Sequence, residues 1–295
     1  MRVFVTGATG FVGSAVVSEL IAAGHSVLGL CRSETGAAAL RAAGAHANPG
    51  SLEDLDSLKR GAAATDAVVH TAFIHDFSRF KENCDIDRRA IEALGETLAG
   101  SDRPLIVTSA VGMLSPGRLA TEDLLPPADP HVPRVSEQAA FAFAPRGVRA
   151  MAVRLPQVHG AGDHAFTPHL IDVARDKGVA AYVGGGANRW PAVHRFDAAR
   201  LYRLALEKGT AGARYHAVAD EGVPLRILAE IIGRRLGLPV KSIAAEEAAG
   251  HFGWFATFAA MDAPTSSAWT RRELGWQPTE IGLVADLDSP AYFAS

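Results

Sequence analysis

Short apolar runs alternate with stretches whose apolar residues fall three and four apart, and this alternation fills the first half of the chain. Val3-Phe4-Val5, Ser26 to Cys31, Ala45 to Asn48, Ala67 to Ala72, Pro104 to Ser109 and Val148 to Leu155 predict six strands. Ala67-Val68-Val69 is continuously apolar, as a strand covered on both faces should be. Helical periodicity falls between them: Ser14 to Ala23, stopped by Gly24; Thr35 to Ala43, stopped by Gly44; Asp85 to Leu98; and Arg134 to Ala144, opened by Pro133. Strands alternating with helices through right-handed crossovers build an α/β fold, a Rossmann-type doubly wound parallel sheet.

Past Gly160 the rhythm changes. Asp197 to Glu207 reads as a helix, Arg214 to Val218 as one more strand, and Leu225 to Leu236 as an amphipathic helix. The expected organisation is a dinucleotide-binding domain over 1–160 and a smaller C-terminal substrate lobe over 161–295, of which about 190–220 returns to the main sheet. Ser115 to Pro133 holds five prolines and no helical period, which predicts a loop lying over the site.

The first strand runs into Thr6-Gly7-Ala8-Thr9-Gly10-Phe11-Val12-Gly13 and then a helix. Glycines at 7, 10 and 13 serve a tight turn, a close approach of backbone to a pyrophosphate, and close helix-to-strand packing. The helix N-terminus then offers free N–H groups and its positive dipole end to the phosphates. This context, strand before and helix after, predicts a dinucleotide site.

The second strand ends on Arg32-Ser33 rather than on a carboxylate. A carboxylate there would bind a free ribose 2′-OH, whereas an arginine accommodates a 2′-phosphate, so the expected cofactor is NADP(H) over NAD(H). Ser51 and Leu52 fall where the adenine edge would lie. The fourth strand's end, at Thr71 and Ala72, makes a second cofactor-facing loop. The fifth ends in two hydroxyls, Thr108 and Ser109, and its carboxyl end is where ligands of open parallel sheets bind.

Composition narrows the partners. The 295 residues are 48% hydrophobic with a formal charge of -3, enough for a full core and without the basic footprint that nucleic acid or an anionic membrane requires. Cys31 and Cys84 are too far apart for a C-x-x-C, and no signal segment or membrane span is visible. A cytoplasmic protein with a small-molecule substrate is expected, and a homodimer is allowed. His159, His164 and His169 recur at intervals of five, which on a helix sets side chains about 140° apart, so no metal is assigned. As proton carriers they remain eligible, His159 above all. His251 to Phe258 concentrates aromatics that serve either core or an apolar pocket.

The glycine motif, Val107-Thr108-Ser109, Arg154-Leu155-Pro156-Gln157-Val158-His159-Gly160 and Ser267 to Pro278 together resemble the extended short-chain dehydrogenase/reductase family, also called the NAD-dependent epimerase/dehydratase family. The resemblance covers nearly the whole chain. It implies backbone contacts from Phe11 and Val12 to the pyrophosphate, Ala72 and Phe73 bordering the riboses, and backbone from Leu155 through Pro156 to Val158 at the nicotinamide carboxamide. The family's Tyr-x-x-x-Lys, proton donor and ribose-binding cation, falls on Pro133 and Glu137, which can fill neither role. That points to an atypical oxidoreductase acting on an apolar carbonyl, imine or related group. Ser109 would polarise the reacting group, with the proton coming from Ser109, His159 or water. A non-catalytic NADP(H) sensor and a nucleotide-sugar epimerase or dehydratase are the alternatives.

Overall fold

In chain order the strands are β1 Arg2–Thr6, β2 Ser26–Cys31, β3 His46–Pro49, β4 Ala67–His70, β5 Pro104–Ala110, β6 Arg149–Leu155, β7 Gln157–His159, β8 Ala180–Val183, β9 Arg189–His194, β10 Arg214–His216, β11 Asp220–Pro224 and β12 Val240–Ile243. The helices are α1 Phe11–Ala22, α2 Glu34–Ala42, α3 Leu55–Ala63, α4 Phe80–Leu98, α5 Ser136–Phe141, α6 Phe166–Lys177, α7 Arg195–Lys208, α8 Leu225–Leu236, α9 Ala248–Phe252, α10 Ala256–Ala260, α11 Ala268–Leu274 and α12 Leu283–Leu287. The structure, a computed structural model, describes residues 1–112, 114, 116–126 and 133–293. The expected loop over 115–133 lies partly outside the described residues.

Seven parallel strands form the main sheet in the order β10-β6-β5-β4-β1-β2-β3. Both faces are covered, as the apolar strands require. On one side α1, α2 and α7 contribute Val16, Leu20, Leu40, Leu201 and Tyr202 to a core that reaches Trp276. On the other, α3, α4 and α5 contribute Leu58, Ile91, Leu94 and Ala140. The order reverses between β1 and β4, and the carboxyl ends flanking that point are where a ligand fits.

The rest of the chain builds a lobe with its own core, including Leu170, Trp190, Leu228, Phe255 and Leu283. Its strands are a three-stranded sheet, β11-β9-β7, and a parallel pair, β12-β8. Of the stretch around 190–220, α7 and β10 join the main sheet layer, whereas β9 pairs with β7 and β11. Among the described residues no helix is long and apolar enough to cross a membrane.

Several helix boundaries differ from the pattern, among them the start of α1, at Phe11 rather than Ser14. Helix α4 starts at Phe80, before the expected Asp85: its first turn carries the exposed Lys81 and Glu82, which hide the apolar period, and the buried Asn83, which donates to the Asp76 carbonyl at 2.8 Å. Helix α5 is shorter than expected, since Arg134 and Val135 stay outside it and it ends at Phe141.

Candidate active site

At the glycine turn, packing explains two of the three glycines. A Cβ on Gly13 would lie 2.0 Å from the Gly7 carbonyl oxygen, and one on Gly7, at φ +66°, would lie 2.8 Å from the Ala72 nitrogen. Gly10 is different: a Cβ there would meet only the Gly7 oxygen, at 3.2 Å. Its open side faces outward, at the N-terminus of α1, where no side chain caps the first N–H groups. Thr9 is exposed beside it. A pyrophosphate fits this cradle, because the orphan donors, the dipole end and the missing side chain converge there. Arg195 adds charge beside it, donating to Ser14 Oγ at 3.0 Å and lying 4.7 Å from the centre of the Phe11 ring. The side chain of Val12 packs inward against the core, so only its backbone is free for a ligand.

Next to the turn an open cavity of about 340 Å³ is lined by Arg32, Ser33, Gly50, Ser51 and Asp54, among others. Arg32 is exposed, and among the described residues no carboxylate pairs with it. Ser33 caps α2 by accepting from the Gly36 N–H at 3.1 Å, and Ser51 Oγ accepts from Glu53 and Asp54 N–H groups. Both hydroxyls keep a hydrogen to donate. Leu52 is buried in the core, so its side chain does not face this cavity.

A chain of hydrogen bonds runs below the strand ends. Thr6 Oγ1 donates to His70 Nδ1 (2.8 Å), His70 Nε2 to Asp87 (3.0 Å), and Ser136 Oγ to the other Asp87 oxygen (2.6 Å). Burial pushes the Asp87 carboxyl up, but His70, Arg134 and Ser136 outweigh it and hold the pKa below the usual range. Arg134 Nε donates to Ser136 Oγ at 3.1 Å and Nη2 to the Thr108 carbonyl at 3.1 Å, and the guanidinium lies 4.3 Å from the centre of the Phe73 ring. Periodicity alone makes Arg134 no more than a helix residue. The signal that could have found it is a lone cation next to Pro133, at the position the resemblance gives to tyrosine.

Three hydroxyls proposed from sequence turn out to be committed within the protein or beside it. Thr71 Oγ1 donates to the Thr6 carbonyl at 2.7 Å. Thr108 Oγ1 donates to the His70 carbonyl at 2.8 Å and meets the buried Tyr202 hydroxyl at 2.6 Å, so as a cofactor ligand it is corrected to a structural tie. Ser109 stands opposite Arg154 in the β5–β6 register and beside the Glu137 carboxylate.

Glu137 occupies the lysine position of the resemblance, and it is buried. Arg154 Nε and Nη2 bind it at 2.6 and 2.8 Å, and Arg214 Nε at 2.9 Å. Burial would raise its pKa; Arg154, with Ser109 and Arg214, holds it low. Arg154 Nη1 also donates to His216 Nε2 at 3.2 Å, while His216 Nδ1–H reaches the Ser266 carbonyl at 2.8 Å. These two partners fix a neutral ring, and burial lowers its pKa to about 4.

The proton-carrier role of His159 is a correction. It is fully buried in β7, and its Nδ1–H is held at 2.8 Å by Asp286 of α12. A ring sealed this way cannot meet a substrate. The three histidines also part company: His164 packs edge-on against Phe11, and His169 lies between Trp254 and Phe255. Leu155 ends β6 and Pro156 alone separates it from β7, with the Leu155 carbonyl tied to the Val111 N–H at 3.1 Å; the Val158 side chain packs on the core. The aromatic run divides, Phe252 and Phe255 being buried and Trp254 54% exposed.

This sheet, with its glycine turn and second lobe, matches the NAD dependent epimerase/dehydratase family over residues 3–219. The chain belongs to that family. The epimerase/dehydratase-family chain is 56% identical over 99% of its length, and 100% of the relative's, to an uncharacterized protein of Schizosaccharomyces pombe. It is 30% identical, over 86% of its length and 80% of the relative's, to a 4-hydroxy-2-methyl-3-oxo-4-farnesyl-3,4-dihydroquinoline-1-oxide ketoreductase of Stigmatella aurantiaca. In fold it resembles a dTDP-glucose 4,6-dehydratase of Streptomyces venezuelae solved with NAD, with a TM-score of 0.79 at 22% identity, covering 100% and 97% of the two chains.

Proposed function

We propose that this chain is an NADP(H)-dependent reductase acting on an apolar small-molecule carbonyl, imine or related group. The glycine turn and α1 would hold the pyrophosphate, Arg32 and Ser33 the 2′-phosphate, Ser51 and the backbone of Leu52 the adenine edge, and backbone from Leu155 to Val158 the nicotinamide. Reduced nicotinamide, when bound, supplies a hydride. The observation that carries the reading is Arg134, a cation fixed 4.3 Å over Phe73 and aimed by Ser136 at the carboxyl ends of the strands. Negative charge growing on a substrate oxygen is stabilised there without any proton transfer from the protein. Ser109 borders the same space, and with His159 sealed the proton arrives from water. The ketoreductase relative supports a reductase.

The test is NADPH oxidation, followed by absorbance, against a panel of apolar ketones, imines and quinones. Arg134→Met should lower kcat by about 10² to 10³ on any substrate found, as loss of an oxyanion-stabilising donor does, with cofactor affinity unchanged. Since arginine does not titrate below pH 12, the rate should be flat across neutrality. A second reading follows from the resemblance, in which Pro133 and Glu137 fall where the family carries its proton donor and cation, as a non-catalytic NADP(H) sensor would allow. Tight NADPH binding with no turnover across the panel selects the sensor.

A further inference from the structure

Phe77, from the short segment between β4 and α4, stacks on Trp254 of the lobe with ring centres 5.3 Å apart and planes 19° from parallel. The contact joins the segment after β4 to the lobe. Phe258 meets Phe77 edge-on at 5.8 Å from below. Inward, Phe77 stacks on Phe80 (5.9 Å, 29°), Phe80 meets Phe73 at 6.2 Å, and Phe73 carries the Arg134 guanidinium. An unbroken series of rings therefore leads from the exposed Trp254 to Arg134.

We infer that the Phe77–Trp254 pair is a clamp for a planar aromatic substrate, an aryl ketone or quinone, at the outer end of the ring series that ends on Arg134. The inference rests on the reductase reading and names the substrate class of that site. The orientation of the rings selects flatness. Two nearly parallel rings on separate lobes need only move apart by about one ring thickness, roughly 3.5 Å, to admit a third ring stacked between them without either turning. A saturated ring system of equal size is thicker, and it lacks the quadrupole that makes offset stacking favourable. Neither clamp side chain has a hydrogen bond that must break, because Phe77 has no polar atom and Trp254 is exposed at the surface.

The experiment uses the full chain saturated with NADP⁺ and two probes of similar size, flat 1,4-naphthoquinone and saturated trans-1-decalone, with affinities from calorimetry and from Trp254 fluorescence. Naphthoquinone should bind saturably and at least tenfold more tightly than decalone. Phe77→Leu and Trp254→Leu should each weaken naphthoquinone at least tenfold while leaving decalone and NADP⁺ affinity nearly unchanged. Equal affinity for the two probes, or unchanged naphthoquinone affinity in both variants, overturns the clamp. The reductase reading is judged separately: selective binding without NADPH-dependent reduction keeps the clamp and defeats the reductase, whereas reduction without selectivity does the reverse.

Discussion

Glu137 and Arg154 form a two-point ion pair of 2.6 and 2.8 Å with both side chains buried, at the position where the resemblance calls for a lysine. The carboxylate also holds Arg214. Glu137 is thus a buried anion held between two cations. Glu137→Gln should cost about 3–5 kcal/mol, the price of leaving a buried guanidinium unpaired. Glu137→Lys should cost more, since it adds a third positive charge, and it should not raise turnover. Chemical denaturation measures the first; a Glu137→Lys protein with wild-type stability and raised turnover would contradict the structural role given to this pair.

The glycines of the turn should separate by function. Gly10→Val keeps the fold, because a Cβ there has only one neighbour, at 3.2 Å, but it fills the pyrophosphate volume and should abolish cofactor binding. Gly13→Ala drives a Cβ to 2.0 Å from the Gly7 oxygen and should lower thermal stability as well. Calorimetry with NADPH and a thermal melt on each variant distinguish the two behaviours.

Arg32 stands exposed at the cavity rim, and among the described residues no carboxylate pairs with it. Arg32→Ala should weaken NADPH by about 1.5–3 kcal/mol, the worth of a charged hydrogen bond, and leave NADH nearly unaffected. A wild type with equal affinity for the two would remove the case for the phosphate.

His216 gives acid sensitivity a definite sign. Burial lowers its folded pKa to about 4 from 6.5, so the unfolded chain takes up a proton that the fold refuses. This costs no stability above pH 6.5; the loss begins as pH falls through that value and grows until about 4. The slope from this group approaches about 1.4 kcal/mol per pH unit. Urea melts at a series of pH values should show it, and His216→Gln should flatten the curve between 6.5 and 4.

The parallel sheet was legible because its strands are apolar on both faces and each glycine that closes a helix sits where periodicity ends. The pyrophosphate turn was legible for the same reason, its spacing being a steric requirement. What escaped were side chains whose roles arise from distant partners. His159 reads as cofactor-adjacent by its place after Pro156, yet Asp286, 127 positions later, claims its ring. Thr108 reads as a strand-end hydroxyl, yet Tyr202 and the His70 carbonyl lie beneath it. Arg134 reads as a helix surface residue until Ser136 and the Thr108 carbonyl fix its direction.

The packing of α1 against α7 has a consequence for synthesis of the chain. Val16, Val17 and Leu20 of α1 share a core with Leu201, Leu204 and Ala205 of α7, and Arg203 closes the seam on Glu19 at 2.6 Å. Helix α1 leaves the ribosome early, but its cover is made nearly 190 positions later. At translation rates of 5–20 residues per second, that apolar face waits for roughly 10 to 40 s. Nascent chains should therefore engage a holdase through their first helix, and chains arrested before residue 195 should remain protease-sensitive, although every strand of the nucleotide half has by then been made except β10.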